Sequence, residues 1–126
     1  MSEQQITSYR DLRVWQDAMS LATACYLLTR TLPKEEMYGL TSQIRRSSAS
    51  IAANIAEGHG RESTQTFVQF LRIAQGSLKE LETHLILSER VGVIKASGGD
   101  PLLEQCQDVG KMLRSLIRSL QQRATS

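Results

Sequence analysis

The stretch from Gly39 to Arg61 constrains the fold of this chain more than any other part of it. Its apolar or small residues recur at steps of three and four, which is the spacing of the buried face of an amphipathic helix. These positions are Leu40, Ile44, Ser47 or Ser48, Ile51 and Ile55. Between them most residues are serine or alanine, so neighbouring helices can approach closely on more than one side. The stretch therefore predicts a helix that packs against several other helices.

The end of this helix carries polar residues that need an explanation. Asn54 and Glu57 lie about one turn apart, and Gly58 and Gly60 are expected to end the helix. One interpretation is that both side chains form hydrogen bonds across the bundle, to the turn around Gly58 or to Arg61. The other is that they contact a ligand or a partner. We favour the structural interpretation, because buried polar groups often fix the register of packed helices.

The Gly39–Arg61 stretch is the second helix of the chain, and one helix is predicted before it and another directly after it. The first has Asp11 as its N-cap and ends near Thr31, because proline at position 33 disfavours helical geometry in the residue before it. Its apolar stripe is Leu12, Trp15, Ala18 or Met19, Ala22, and Cys25 or Tyr26. The second helix is expected to begin at Glu36. Ser63 is the expected N-cap of the third helix. The seam of the third helix is Phe67, Phe70 or Leu71, Ala74, Leu78, Leu81 and Leu85.

The fourth helix is predicted to begin at Asp100 and Pro101, after the longest connection of the chain at residues 91–99. Its stripe is Leu102, Cys106, Val109, Leu113, Leu116 or Ile117, and Leu120. With 126 residues the chain has the length of one domain. We expect residues 1–8 to be a flexible N-terminal tail and residues 9–126 to form an all-α, antiparallel up-down-up-down four-helix bundle.

The residues that could carry catalysis do not form a recognisable set. Glu80 and His84 lie one turn apart, but carboxylate-bridged metal bundles need such a pair on two helices together with further glutamates. His59 lies between two glycines, where an exposed ring is expected. Cys25 and Cys106 occupy apolar helix positions, where a buried free thiol is expected. We therefore expect no enzyme, no metal and no cofactor.

The composition also bears on where the protein acts. The first ten residues are polar and lack the apolar segment of a secretory signal, and no run of the sequence is long enough to cross a membrane. We expect a soluble, cytoplasmic protein without a membrane partner. The net charge of +2 does not by itself indicate a nucleic-acid partner.

The distribution of the basic residues is more informative than the net charge. Arg45 and Arg46 are the only charges between Leu40 and Asn54. In the fourth helix Lys111, Arg114 and Arg118 fall three and four residues apart, with no acidic residue after Asp108. These five residues are either a solvated surface or a site for an anion, of which the phosphate backbone of RNA or DNA is the commonest. No aromatic residue interleaves with them, so any binding should depend little on sequence.

The central stretch, IRRSSASIAANIAEGHGR at residues 44–61, resembles the signature of a bacterial family known as four helix bundle proteins or 23S rRNA intervening-sequence proteins. The similarity extends to LRVWQDAM at residues 12–19, LTRTLPKEEMYGL at residues 28–40 and the segment at residues 67–92. Asn54, Glu57, Gly58 and Arg61 lie within the signature. The resemblance implies a four-helix bundle, and it implies function only weakly.

The resemblance implies two kinds of partner: further copies of the chain, and nucleic acid or a protein that holds it. Characterised relatives form ring-shaped homopentamers, which implies a homo-oligomer here. The similar accessory variability protein of diversity-generating retroelements binds nucleic acid and a reverse transcriptase, which implies RNA, DNA or a nucleoprotein partner. The leading hypothesis is therefore a non-enzymatic, self-assembling bundle that binds nucleic acid or such a partner. The alternative is a structural or protein-interaction module with no nucleic-acid role.

Overall fold

A computed structural model describes residues 7–125, so most of the predicted N-terminal tail, residues 1–6, lies outside the described part together with Ser126. The described chain forms four α-helices: α1 (Arg13–Thr29), α2 (Leu40–His59), α3 (Thr64–Arg90) and α4 (Ala96–Thr125). Two short 3₁₀ turns, Tyr9–Asp11 and Lys34–Glu36, precede α1 and α2. No strand occurs in residues 7–125, which confirms the all-α fold. Over the same range, no helix has both the length and the apolar composition needed to cross a membrane.

The order of contacts along neighbouring helices shows that they run antiparallel. Ser50 of α2 bonds to Ser77 of α3. Arg46, one turn earlier in α2, bonds to Glu80, about one turn later in α3. In the other neighbouring pairs, the end of one helix likewise lies against the start of the next. Thr29 of α1 meets Arg45 of α2, and Glu89 of α3 lies close to Gly99 of α4. Leu28 of α1 lies close to Gly98 of α4. Among the described residues no Cα atom of α2 lies within 8 Å of one of α4, so these two helices lie diagonally across the bundle.

The core agrees with the predicted stripes in α3 and α4 and differs in α1. The predicted α3 positions are buried, with Leu71 rather than Phe70, and those of α4 are buried with Ile117 rather than Leu116. In α1 the buried residues are Val14, Ala18, Leu21, Ala22, Cys25 and Thr29. Leu12 and Trp15 are only partly buried, and Met19 and Tyr26 are 41% and 43% exposed. The face of α1 that meets the core therefore includes the predicted Ala18, Ala22 and Cys25, but Val14 and Leu21 complete it in place of Leu12 and Trp15.

Two of the predicted helix starts in this part of the chain were wrong, each for a local reason, and the predicted cap of α3 was correct. Asp11 does not cap α1. It is the last residue of the 3₁₀ turn before α1, and its carboxylate accepts hydrogen bonds from the backbone N–H groups of Thr7 and Ser8. The second helix begins at Leu40 rather than Glu36, because residues 34–36 form a separate turn. Ser63 does cap α3, accepting from the Thr66 N–H at 3.2 Å.

The fourth helix begins five residues before Pro101, not at it. Gly98 and Gly99 both donate their N–H groups to the Lys95 carbonyl, which starts the helix at Ala96. Pro101 is exposed near this end of the helix. Because proline has no N–H, it cannot donate to the carbonyl of Ser97, one turn earlier, and Ser97 is exposed as well. The connection from α3 is thus residues 91–95, and the longer one is residues 30–39, between α1 and α2.

Candidate functional site

The five predicted nucleic-acid-binding residues lie on two separate helices. Arg45 and Arg46 are on α2, whereas Lys111, Arg114 and Arg118 are on α4. Because α2 and α4 lie diagonally across the bundle, with no Cα atoms of the two helices within 8 Å of each other in the described chain, the two groups do not form one surface. They have to be considered separately.

The two arginines of α2 have partners within the protein. Arg46 forms an ion pair with Glu80 of α3 and donates to the Gln43 side chain at 2.8 Å. Arg45 donates from Nε to the Thr29 hydroxyl at 2.8 Å, and its guanidinium lies 5.0 Å from the centre of the Tyr26 ring. No acidic residue lies near Arg46 in the sequence, but the fold supplies a carboxylate from another helix. Both arginines tie α2 to its neighbours.

The three basic residues of α4 form a different kind of surface. Lys111, Arg114 and Arg118 are all exposed, and none makes an ion pair with another residue of the described range. Lys111 and Arg114 line a cleft of about 600 Å³ between α3 and α4. Other concave surfaces also border predicted basic residues: Lys111 lines one between α1 and α4, and Arg45 and Arg46 line one at the α1–α2 connection. The α3–α4 cleft is bordered by two cations of the α4 stripe.

The α3 wall of this cleft contains residues that sequence reasoning missed. Lys79 lies there and forms an ion pair with Glu82 at 3.0 Å. Gln75 and Gly76 line the same wall, and Gln107 and Gly110 line the α4 wall. The signal that could have found them is Gly76, because a glycine inside a helix is unfavourable unless packing or function requires it.

Asn54 forms its hydrogen bonds within α2, and its partner is neither the turn around Gly58 nor Arg61. Its side-chain amide donates to the Ser50 carbonyl at 2.8 Å and to the Ser50 hydroxyl at 3.0 Å. The Ser50 hydroxyl in turn bonds to the Ser77 hydroxyl of α3 at 2.8 Å. Asn54 therefore supports a hydrogen bond between α2 and α3 through Ser50.

Glu57 pairs with Arg61, one of the partners proposed for it, but not inside the bundle. The two side chains are 3.1 Å apart and are 56% and 52% exposed. The Arg61 guanidinium also lies 5.3 Å from the centre of the Phe70 ring on α3. The expectation of a buried Glu57 was wrong, and the pair is a surface contact at the end of α2.

Gly58 is required by packing rather than by helix termination. It is buried inside α2, which continues to His59. A Cβ atom at Gly58 would lie 2.5 Å from the Phe70 Cβ and 3.0 Å from the Phe67 Cδ1. Glycine at this position thus allows the closest approach of α2 to α3.

A second concave surface lies between α1 and α2. Its volume is about 490 Å³, and its walls are largely apolar. Trp15, Met19 and Tyr26 of α1 form one side, and Ala49, Ala53 and Ala56 of α2 are among the residues of the other. Tyr9 packs edge-on against Trp15, with ring centres 5.2 Å apart. We call this surface the α1–α2 groove.

The histidine and glutamate considered for metal binding have no further ligands nearby in the described chain, and the two cysteine thiols are protonated. The His84 Nε2 atom lies 3.8 Å from the Glu80 carboxylate, and residues 7–125 hold no group of three or more side chains of the kind that bind metal ions. Burial raises the pKa of both Cys25 and Cys106 to about 12. The two thiols are free, buried and protonated near neutral pH.

The comparisons with known proteins agree with this architecture. The family model for the 23S rRNA-intervening sequence protein matches residues 10–115. A crystal structure of a protein of unknown function from the S23 ribosomal protein family of Bacteroides thetaiotaomicron is similar to the chain, with 28% sequence identity and a TM-score of 0.77. The match covers 82% of this chain and 97% of that one. No curated protein matches the sequence significantly. The family match spans most of the chain and includes all four helices, and on that basis the chain belongs to the 23S rRNA-intervening sequence protein family.

Proposed function

We propose that this protein is a non-enzymatic bundle that self-assembles in the cytoplasm and binds the backbone of RNA or DNA, alone or within a nucleoprotein. The observation that carries the proposal is the basic surface of α4. Lys111, Arg114 and Arg118 are exposed and make no ion pair within the described residues, whereas Arg46 of α2 is neutralised by Glu80. Cations that are not paired within the protein are available to phosphate groups.

The chemistry of this surface favours contacts to phosphates over contacts to bases. Lysine and arginine neutralise phosphates and release their counterions, which makes such binding strongly salt-dependent. No aromatic side chain lines the cleft between α3 and α4, so the cleft offers no ring on which a base could stack. Binding should therefore depend weakly on sequence.

The α1–α2 groove supports the self-assembly part of the proposal. Exposed large apolar side chains that border small residues are typical of surfaces that another protein covers. We propose that a second copy of the chain covers the groove, and that the assembly is a closed ring, a pentamer by resemblance. A ring repeats the basic surface of α4, and linked weak sites bind one long polyanion much more tightly than a single site does.

The family name refers to an intervening sequence of 23S rRNA, and this favours RNA as the nucleic acid. A reverse transcriptase, or another protein that itself holds nucleic acid, is the proposed protein partner.

Fluorescence anisotropy with mixed-sequence RNA and DNA tests the proposal. We expect binding at low salt whose affinity falls steeply as salt rises. The variant with both Arg114→Glu and Arg118→Glu should lose binding while it keeps its oligomeric state and melting temperature. The matched control, Arg30→Glu with Lys34→Glu, makes the same change of charge at the α1–α2 connection and should bind within about threefold of the unmodified protein.

A second candidate function is a protein-interaction module with no nucleic-acid role, and the apolar α1–α2 groove is the observation that favours it. If the unmodified protein fails to bind RNA and DNA even at low salt, this second function is correct and the α4 cations are a solvated surface.

A further inference from the structure

Two glycines, Gly76 and Gly110, line the basic cleft, and only one of them is explained by packing. A Cβ atom at Gly110 would lie 3.3 Å from Leu78 and 3.5 Å from the Arg114 guanidinium, so this position has little room. A Cβ atom at Gly76 would meet nothing within 4 Å. Glycine inside a helix costs about 1 kcal/mol relative to alanine. The missing side chain at Gly76 brings no closer helix packing, but it keeps the cleft open.

Cations line both walls of this open cleft. Lys79 lies one turn after Gly76 in α3 but is paired with Glu82, so the cations of the lining that are unpaired within the described residues are Lys111 and Arg114 of α4. Helix spacing adds one more exposed cation to each wall: Arg72 one turn before Gly76, and Arg118 one turn after Arg114. Because α3 and α4 run antiparallel, these two cations extend the same end of the cleft.

The opposite end of the cleft carries the one acidic residue of its lining. Glu82 is mostly buried there and pairs with Lys79. Gln75 and Gln107 provide uncharged hydrogen-bonding groups between the two ends. The cleft thus combines an apolar floor that includes Leu78 with polar side chains, is basic along its rim and is limited at one end by a negative charge.

We propose that this cleft holds the phosphodiester backbone of a single-stranded nucleic acid. The inference rests on the proposed function and adds where the strand lies and which form is bound. Packed helices have axes about 8–10 Å apart, so a cleft between two of them is narrower than a nucleic-acid duplex. A single strand can enter between the walls and meet cations on both sides, whereas a duplex reaches only the rim. Its volume of about 600 Å³ falls in the range of clefts that enclose part of a ligand.

A side chain that fills the cleft without a change of charge tests this inference. Gly76→Met places an uncharged chain in the open space, and because methionine favours helices more than glycine the bundle should remain folded. We expect its affinity for single-stranded RNA and DNA to fall about tenfold or more, because the strand and the side chain would occupy the same space. Binding to a duplex of the same length should be weaker in the unmodified protein and unchanged in the variant. Gln65→Met, at an exposed position in the first turn of α3, is the matched control and should bind as the unmodified protein does.

The outcomes separate this inference from the proposed function. If Gly76→Met binds single strands normally while Arg114→Glu with Arg118→Glu abolishes binding, the α4 surface binds nucleic acid but the strand does not lie in the cleft. If the unmodified protein prefers duplexes, the single-strand assignment is wrong. If it binds neither form at low salt, both the inference and the proposed function are wrong.

Discussion

At the scale of single residues, Cys25 and Cys106 make the free energy of unfolding depend on pH in the alkaline range. Both side chains are fully buried, and burial raises the pKa of each from 9.0 to about 12. Between these values the unfolded chain releases thiol protons that the folded chain retains. A pKa that is higher in the folded state gives stability that is complete below pH 9.0 and declines as the pH rises toward 12.

We therefore predict that the free energy of unfolding falls above pH 9, by about 1 kcal/mol per pH unit for each thiol. Urea unfolding at several pH values from 8 to 11 measures this slope. In the variant with Cys25→Ala and Cys106→Ala, the slope should be flatter, although the protein will be less stable at every pH. An equal slope in both proteins would show that other groups cause the alkaline loss.

Glu57 and Asn54 lie close in sequence and should respond differently to truncation. Glu57 forms an exposed ion pair with Arg61, and such pairs contribute about 0–1 kcal/mol. Asn54 supports the Ser50–Ser77 hydrogen bond between α2 and α3, and loss of a partly buried hydrogen bond costs about 1 kcal/mol.

We predict that Glu57→Ala changes the free energy of unfolding by less than Asn54→Ala does. The Glu57 effect should also shrink as salt is added, because salt screens exposed charges. Denaturant unfolding of both variants at two salt concentrations measures this. A larger, salt-independent loss for Glu57→Ala would mean that its carboxylate has a partner other than Arg61.

At the scale of the helices, Gly58 sets the distance between α2 and α3. An added methyl group would press on the Cβ of Phe70 and the ring of Phe67, and overpacking of this kind costs about 1–3 kcal/mol. Gly58→Ala should lower the free energy of unfolding by this amount, although alanine favours helices more than glycine.

Gly60→Ala is a matched control for this prediction. Its Cβ would meet only backbone oxygens, the nearest at 3.5 Å, and its φ of −74° suits any residue. Thermal unfolding should therefore show a large loss for Gly58→Ala and a small change for Gly60→Ala. Equal effects at the two positions would contradict the close approach of the helices.

The helices show what periodicity could and could not predict. The stripes of α3 and α4 were correct because each has a continuous apolar seam along its buried face, although Ile73, Ile86 and Leu87 of α3 lie off this seam and are exposed. In α1 two apolar faces lie side by side, one containing Val14 and Leu21 and the other Trp15 and Met19. The sequence pattern does not distinguish the face that meets the core from the face that borders the α1–α2 groove. The start of α4 was predicted wrongly because Pro101 was taken as the beginning of the helix. A proline near the start of a helix removes only one hydrogen bond, so the helix can begin before it.

At the scale of the whole molecule, the candidate site was only partly predictable. The basic stripe of α4 follows from spacing within one helix, so Lys111, Arg114 and Arg118 were correctly placed together. The pairing of Arg46 with Glu80 depends on how α2 and α3 pack, which spacing along the chain does not contain. The same is true of the cleft, because Lys79 and Arg114 become neighbours only when α3 and α4 meet.

The proposed assembly predicts the effect of a charge placed in the α1–α2 groove. Ala53 is exposed and lines the groove, so Ala53→Glu should leave the monomer folded and prevent a second copy from covering it. Sedimentation velocity should then show a shift from oligomer to monomer. Ala96→Glu adds the same charge at the exposed start of α4 and should keep the oligomer. If Ala53→Glu leaves the oligomer intact, a different surface holds the copies together.

The central claim is that copies of this bundle assemble and together bind nucleic acid through α4. Size-exclusion chromatography with light scattering, performed at low salt with and without single-stranded RNA, measures the mass of protein and of RNA in the same species. We predict a protein mass that is a multiple of the 14.1 kDa chain, about 70 kDa for a pentamer, and bound RNA that dissociates at high salt. A protein that elutes at 14.1 kDa and carries no RNA at low salt would contradict the claim.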